Sequence, residues 1–298
     1  MKPRIAIHGN CQANALQGMM LNHRPLLDRY EIVIVKPVHE MSMADRSAMA
    51  NLVGSLDVFV FQNISAQWEP ADTDYLLGFL KGQRLELPSM WLSGHTPDMT
   101  YFVNDSGVKP EVRGIDWYYH SRLIANCFAR GSRADAAVSM FVDPEALDRN
   151  FLKSNYRDGV AELKRREASC ELTITDLIER KGTAWRGFHT VNHPRGEVLT
   201  HVFDQIMVRL GIERLVSPDR PNPLGLVDWP VTASARDTFG VLGTVDALMF
   251  GDVVPIADFV AHFYQLYEDQ PHLLATNAAL FDDRWVNEAV TRATLSFG

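Results

Sequence analysis

Apolar residues follow two rhythms along this chain. Near the N-terminus, short and almost wholly apolar runs alternate with segments whose apolar positions recur every three or four residues. Residues 4–8, with Ile5 and Ile7 just before a glycine, predict a strand, as do residues 31–35, 57–61 (Val58-Phe59-Val60-Phe61) and 87–92. Residues 12–21 carry Ala13, Leu16, Met19 and Met20 on one helical face, and residues 44–52 and 73–80 repeat that spacing. Apolar strands alternating with helices predict a parallel sheet covered on both faces.

After about residue 115 the helical rhythm dominates. It predicts helices over 118–129, ending near Gly131, and over 144–151, with Asp143 as cap and Pro144 in the first turn. Residues 157–181 form a long amphipathic stretch, and 197–210 a helix stopped by Gly211. Residues 217–245, rich in proline and glycine, predict an extended loop, and 256–267 and 283–295 predict terminal helices. The expected fold class is α/β. A flavodoxin- or SGNH-like parallel sheet occupies residues 1–115, and a mainly helical half, 116–298, completes the active site. No linker separates the halves, so one continuous domain is equally compatible.

Composition narrows the function. The chain has 298 residues, 46% of them hydrophobic, enough for a sizeable core. Its net charge of −8 disfavours a nucleic-acid or anionic-membrane partner. Three cysteines, an odd number far apart in sequence, do not make a disulfide framework and point to a reducing compartment. No apolar run is long enough to span a bilayer, and Ile5-Ala6-Ile7 is too short for a signal-peptide core. The expected location is cytoplasmic; oligomeric state is not legible.

Ligands of parallel α/β sheets bind beyond the carboxyl ends of the strands. The turn after the first strand, His8-Gly9-Asn10-Cys11-Gln12, is therefore the first place to look for chemistry. Gly9 permits a tight turn and close ligand approach. Cys11 falls at a helix N-terminus, where the dipole and free N–H groups favour a thiolate, an oxyanion or a phosphate. The competing reading is a small residue that only fills the turn. Gln17 stands where a tyrosine phosphatase needs arginine, and Asn14 where a thioredoxin pair needs its second cysteine. Cys11 and Asn14 occupy glycine positions of the dinucleotide fingerprint, and no Walker loop occurs.

A thiol nucleophile needs a base, and His193 in Gly187-Phe188-His189-Thr190-Val191-Asn192-His193-Pro194 is a candidate. Pro194 is expected to start the next helix and leave the imidazole just outside it, with Asn192 or a carboxylate orienting the ring. The alternative is a histidine that caps or packs that helix. His189, His193 and His201 lack the glutamate of a zincin at Thr190, and no metal is expected. Gln62-Asn63 follows the third strand and offers amides to an oxyanion, or merely ends the strand. Ser93-Gly94-His95-Thr96-Pro97-Asp98 carries the same two readings after the fourth. Asp72-Thr73-Asp74 resembles a glycosyltransferase metal pair but reads better as a helix N-cap, and Lys164-Arg165-Arg166-Glu167 as a solvated helix face.

Five blocks in order resemble the WcbI-type family of polysaccharide biosynthesis proteins. They are Gly9-Asn10-Cys11-Gln12, Gln62-Asn63-Ile64, Gly94-His95-Thr96-Pro97-Asp98 with Tyr101, Tyr119-His120 before a helix ending at Gly131, and Phe188 to Pro194. They span roughly residues 4–200, and the chain beyond about 215 has no counterpart. The resemblance implies binding of coenzyme A, with acetyl-CoA as donor, and acyl transfer to a sugar hydroxyl of a capsule or exopolysaccharide precursor. It implies that Cys11 and His193 are catalytic and that first-turn amides form an oxyanion hole. Gly9, Asn10, Gln12 and His120 would line the cofactor site, and Arg122, Arg130 or Arg195 would meet its phosphates. The architecture is also similar to SGNH hydrolases, with Cys11 at their serine and Asn63 near their asparagine. Cys11 is then either a nucleophile with His193 as base, or a pocket residue beside a histidine that activates the hydroxyl directly. The rivals are an esterase, a non-catalytic scaffold of polysaccharide assembly and, more remotely, a glycosyltransferase.

Overall fold

A computed structural model describes residues 1–103, 111–112, 115–116, 119–213 and 223–296. The chain makes two compact units, each assembled from separate stretches of sequence. The first joins Met1–Trp91, Val160–Gly182 and Asn192–Gly225; the second joins Leu92–Gly159, Thr183–Val191 and Leu226–Gly298. The expected fold class is what forms: a four-stranded parallel sheet near the N-terminus, followed by mainly helical structure.

The sheet contains β1 (Arg4–His8), β2 (Glu31–Val33), β3 (Val58–Gln62) and β4 (Gln83–Leu87), in the order β2-β1-β3-β4. All neighbours are parallel, with Ala6 beside Val33 and His8 beside Phe61. Successive side chains point to opposite faces. Ala6, Phe59 and Phe61 therefore share one face, packed with Val38, Met49, Val53 and Leu76. The helix α1 (Cys11–Leu21) buries Ala13, Leu16 and Met20 and packs against the helix Gly196–Arg209, which buries Val198, Val202, Phe203 and Ile206.

The fourth strand is displaced from its expected place. It ends at Leu87, before Pro88, rather than running over 87–92. It is an edge strand with Gln83 and Arg84 exposed and Leu85 and Leu87 buried, so it alternates instead of showing a continuous apolar run.

In the second unit the helices Arg122–Ala129, Ala134–Val142, Ile256–Asp269 and Arg284–Ser296 pack together. A three-stranded antiparallel sheet of Val227–Asp228, Ala247–Met249 and Asp252–Val254 accompanies them. Several expectations change here. The start of the helix expected at 118 lies outside the described residues; Tyr119–Ser121 is a strand paired with Met99–Tyr101, and the helix begins at Arg122, capped by Ser121. Residues 144–147 form turns, because Ser234 Oγ takes the Leu147 N–H at 3.0 Å; the helix there is Arg149–Glu167. The stretch 157–181 is broken after Glu167. That residue, expected on a solvated face, is buried, and its carboxylate accepts N–H bonds from Ile174 (2.5 Å) and Thr175 (3.0 Å). Residues 217–222 lie outside the described residues. The rest of the expected loop contains the strand Val227–Asp228 and the helix Ala233–Phe239, capped by Thr232. Among the described residues no helix is long and apolar enough to cross a membrane.

Candidate active site

The chain leaves β1 toward β2 on one side and later enters β3 on the other. Such a switch point opens a crevice at the carboxyl ends of the two central strands. The pairing of His8 with Phe61 brings Gly9-Asn10 level with Gln62-Asn63. Gly9 has no room for a side chain, since a Cβ would stand 2.4 Å from Gln62 Oε1 and 2.8 Å from the Ala13 Cβ. Asn10 is the N-cap of α1, its side chain accepting the Gln12 N–H at 2.9 Å, while its own N–H donates to Gln62 Oε1 at 2.9 Å. Two of the turn's amides, expected to face an oxyanion, are thus bonded within the protein.

Cys11 is the first residue of α1 and is half-buried. Its Sγ lies 3.7 Å from His193 Nε2, across 182 residues of sequence. That is hydrogen-bond range for sulfur and the arrangement of a thiol with its base. Burial pushes the thiols of the other two cysteines, Cys127 and Cys170, up to about 12, which holds them protonated.

Gln12 explains how the histidine reaches the turn. The residue is fully buried. Its Nε2 donates to the Met90 carbonyl (2.6 Å) and to the Asn192 carbonyl (2.7 Å), and its Oε1 accepts from Gln62 Nε2 (2.7 Å) and the Met90 N–H (3.1 Å). These four bonds saturate a carboxamide. They tie the residue before His193 to the residue after Cys11. The Asn192 contact in this lattice is made by its main-chain carbonyl. The sequence places Gln12 and Gln62 near the site, but its only signal for their mutual bond is two glutamines near the ends of adjacent strands.

The other candidates fall as follows. Asn63 is exposed just past the end of β3, and Thr73 braces that loop by donating to the Gln62 carbonyl (3.0 Å) and accepting the Ile64 N–H (2.8 Å). Asp72 caps the next helix, accepting the Tyr75 N–H at 3.0 Å. Pro194 does not start the helix after His193. It is extended, and the helix begins at Gly196 with the half-buried Arg195 at its N-cap. His8, at the end of β1, is buried beside Ala71, whose carbonyl lies 2.8 Å from Nε2; burial lowers its pKa more than that bond raises it.

Three sequence candidates belong to the second unit. His120 is wholly buried, stacked on Phe102 at 4.3 Å, with Nδ1 2.9 Å from the Tyr267 hydroxyl. Burial pushes it down to about 3, so it is neutral. Arg122 pairs with Asp283, and Arg130 bonds Asn287 and Thr291. Nearby in sequence, Gly94 abuts the Tyr156 ring, His95 Nε2 lies 2.7 Å from the Thr183 carbonyl, and the buried Asp98 is pushed up to about 6 by desolvation. The three histidines considered for a metal have separate neighbours: His189 lies 3.6 Å from Asp228, His201 3.3 Å from Asp176, and His193 meets Cys11.

Residues 4–215 match the sequence profile of polysaccharide biosynthesis enzyme WcbI. The chain belongs to the WcbI family of polysaccharide biosynthesis enzymes. No curated protein matches it significantly. A solved structure of WcbI, called a novel polysaccharide biosynthesis enzyme, superposes with a TM-score of 0.82 at 20% identity, covering 98% of this chain and 99% of that one. It is of the native protein without a disulfide bond between coenzyme A and one of its cysteines. At that identity the likeness of this WcbI family member to the solved structure establishes the fold alone, and it extends past residue 215, where the sequence has no counterpart.

Proposed function

We propose that this WcbI-family chain is a coenzyme-A-dependent O-acyltransferase that moves an acetyl group to a sugar hydroxyl of a capsule or exopolysaccharide precursor. The observation that carries the reading is the Cys11 Sγ to His193 Nε2 contact of 3.7 Å at the N-terminus of α1. The family's biosynthetic role, and a solved WcbI described as lacking a disulfide bond between coenzyme A and one of its cysteines, support it.

The donor set suits the cofactor: a half-buried thiol, an imidazole beside it, and Arg195 two residues after that imidazole at the N-cap of a 14-residue helix, a favourable position for phosphate. Bound coenzyme A supplies the acyl group as a thioester. His193 Nε2 takes the Cys11 proton, Cys11 Sγ attacks the acyl carbonyl, and the proton passes from His193 to the departing thiol. His193 then accepts the proton of the sugar hydroxyl as its oxygen attacks the acyl-cysteine, and returns it to Sγ. Asn63 is our candidate oxyanion donor, since it is exposed at the strand end level with the turn and the Asn10 and Gln12 N–H groups have protein partners. Gly9, Asn10 and Gln12 shape the turn. His120, Arg122 and Arg130, which the family resemblance implies for the cofactor, lie in the second unit with the partners given above.

The test is the unfolding midpoint with coenzyme A and with adenosine 3′,5′-bisphosphate. A ligand at a hundred times its dissociation constant stabilises a fold by ~2.7 kcal/mol. Saturable shifts with both, and acetyl trapped on the wild type but not on Cys11→Ala, support the proposal. No shift at millimolar ligand refutes the cofactor, and cleavage of small activated esters without coenzyme A indicates an esterase instead.

A further inference from the structure

The helix Arg284–Ser296 borders a groove that none of this chemistry uses. A cavity of about 440 Å³ lies between the start of this helix and residues 147–151. A second, of about 640 Å³, shares Arg284, Glu288 and Arg292 with it, so the two lie side by side along the helix. All of these residues belong to the second unit.

Two features of the lining are informative. Phe151 and Trp285 are stacked with ring centroids 4.6 Å apart and planes 18° from parallel, and both remain partly exposed at the cavity. A half-exposed indole braced by a second ring is a rigid apolar platform of low conformational entropy. Around it stand the carboxylates of Asp148, Asp283 and Glu288, against the guanidinium groups of Arg284 and Arg292. All of these charges are held by protein partners: Arg284 pairs with Glu288 at 2.8 Å, Asp283 with Arg122, Asp148 accepts the Phe151 N–H at 2.7 Å, and Arg292 donates to the Ala146 carbonyl at 3.0 Å, which leaves each carboxylate oriented with lone pairs to spare. The lining therefore has no positive excess with which to hold a phosphate or other anion.

An aromatic platform ringed by oriented carboxylates matches a neutral polyol. The C–H face of a pyranose lies against the ring, whose π-face is electronegative, and its hydroxyls donate to the carboxylates. Two adjacent cavities accommodate more than one sugar ring. We propose that this groove binds a neutral oligosaccharide, as a glycan-binding site in the second unit. It stands independently of the reaction assigned to Cys11.

The experiment uses the full chain and a panel of maltohexaose, cellohexaose, mannohexaose and xylohexaose, titrated to millimolar concentration and read by tryptophan fluorescence and saturation-transfer NMR. At least one member binds saturably. Trp285→Ala weakens that binding by about tenfold or more, while Trp285→Phe, which keeps a platform, retains most of it. Glu288→Gln weakens it severalfold without touching the aromatic pair, which keeps the test decisive should Trp285→Ala fold poorly. No binding by any member, binding unchanged in both Trp285→Ala and Glu288→Gln, or displacement by adenosine 3′,5′-bisphosphate overturns the proposal. The coenzyme A thermal shift, measured on the same samples, reports separately on the acyltransferase reading.

Discussion

Replacing Gln12 by alanine probes the lattice that joins the two halves of the candidate catalytic pair. The substitution removes four hydrogen bonds of 2.6–3.1 Å from a fully buried side chain. It strands the Met90 N–H and carbonyl and the Asn192 carbonyl, while Gln62 Nε2 keeps its bond of 3.3 Å to the Pro88 carbonyl. Each stranded buried group costs ~1–3 kcal/mol. A water entering the vacated space can satisfy two or three of them, which brings the total to ~2–4 kcal/mol. In a chain of this size that corresponds to a loss of about 3–6 °C in Tm. Urea unfolding measures the stability. The functional readout is the rate at which iodoacetamide alkylates Cys11, which changes because the residue beside His193 has lost its anchor. Gln17→Ala is the control. Gln17 is also buried and bonds the Val35 carbonyl (3.1 Å) and N–H (2.8 Å), so its loss costs stability but leaves Cys11 reactivity alone. A Gln12→Ala protein less than about 1 kcal/mol weaker than wild type, with unchanged Cys11 alkylation, refutes the argument.

Three further outcomes are expected. Gly9→Ala forces a Cβ to 2.4 Å from Gln62 Oε1 and displaces that amide, so it abolishes the coenzyme A thermal shift and costs ~1–3 kcal/mol by denaturant unfolding. His193→Ala slows alkylation of Cys11 while leaving Tm near wild type; equal alkylation rates would exclude the pairing. The buried His120 titrates near 3 when folded but near 6.5 when unfolded, so its stabilising effect is complete above 6.5 and is lost as pH falls toward 3, by about 1.4 kcal/mol per pH unit. Asp98 acts in reverse: raised to about 6, it stays protonated in the folded chain where the unfolded chain has ionised, so its neutralisation adds stability as pH falls from about 6 toward 4. Asp98→Asn therefore steepens the acid loss of stability and His120→Gln flattens it. Identical pH profiles for the two variants would contradict both burial effects.

Local patterning alone sets the rhythm of the first unit. Ile5 and Ile7, Val58 to Phe61 and the face of Leu16 and Met20 are local patterns, and local periodicity decides strand against helix wherever both faces, or one stripe, must be buried. It also determined where to look, because a parallel sheet presents its first turn to ligands, and Gly9 to Gln12 lie there. It misjudged elements whose character depends on distant partners. The edge strand Gln83–Leu87 has one open side, Tyr119–Ser121 becomes a strand by pairing with Met99–Tyr101, and Glu167 is buried because the amides of Ile174 and Thr175 need an acceptor. The pairing of Cys11 with His193 was conceivable from residue types alone. That it is made, and that a saturated glutamine lattice holds it, was decided by tertiary structure. Hydrogen bonds of under 3 Å between residues 50 to 180 positions apart depend on where packing puts each backbone, which no local pattern encodes.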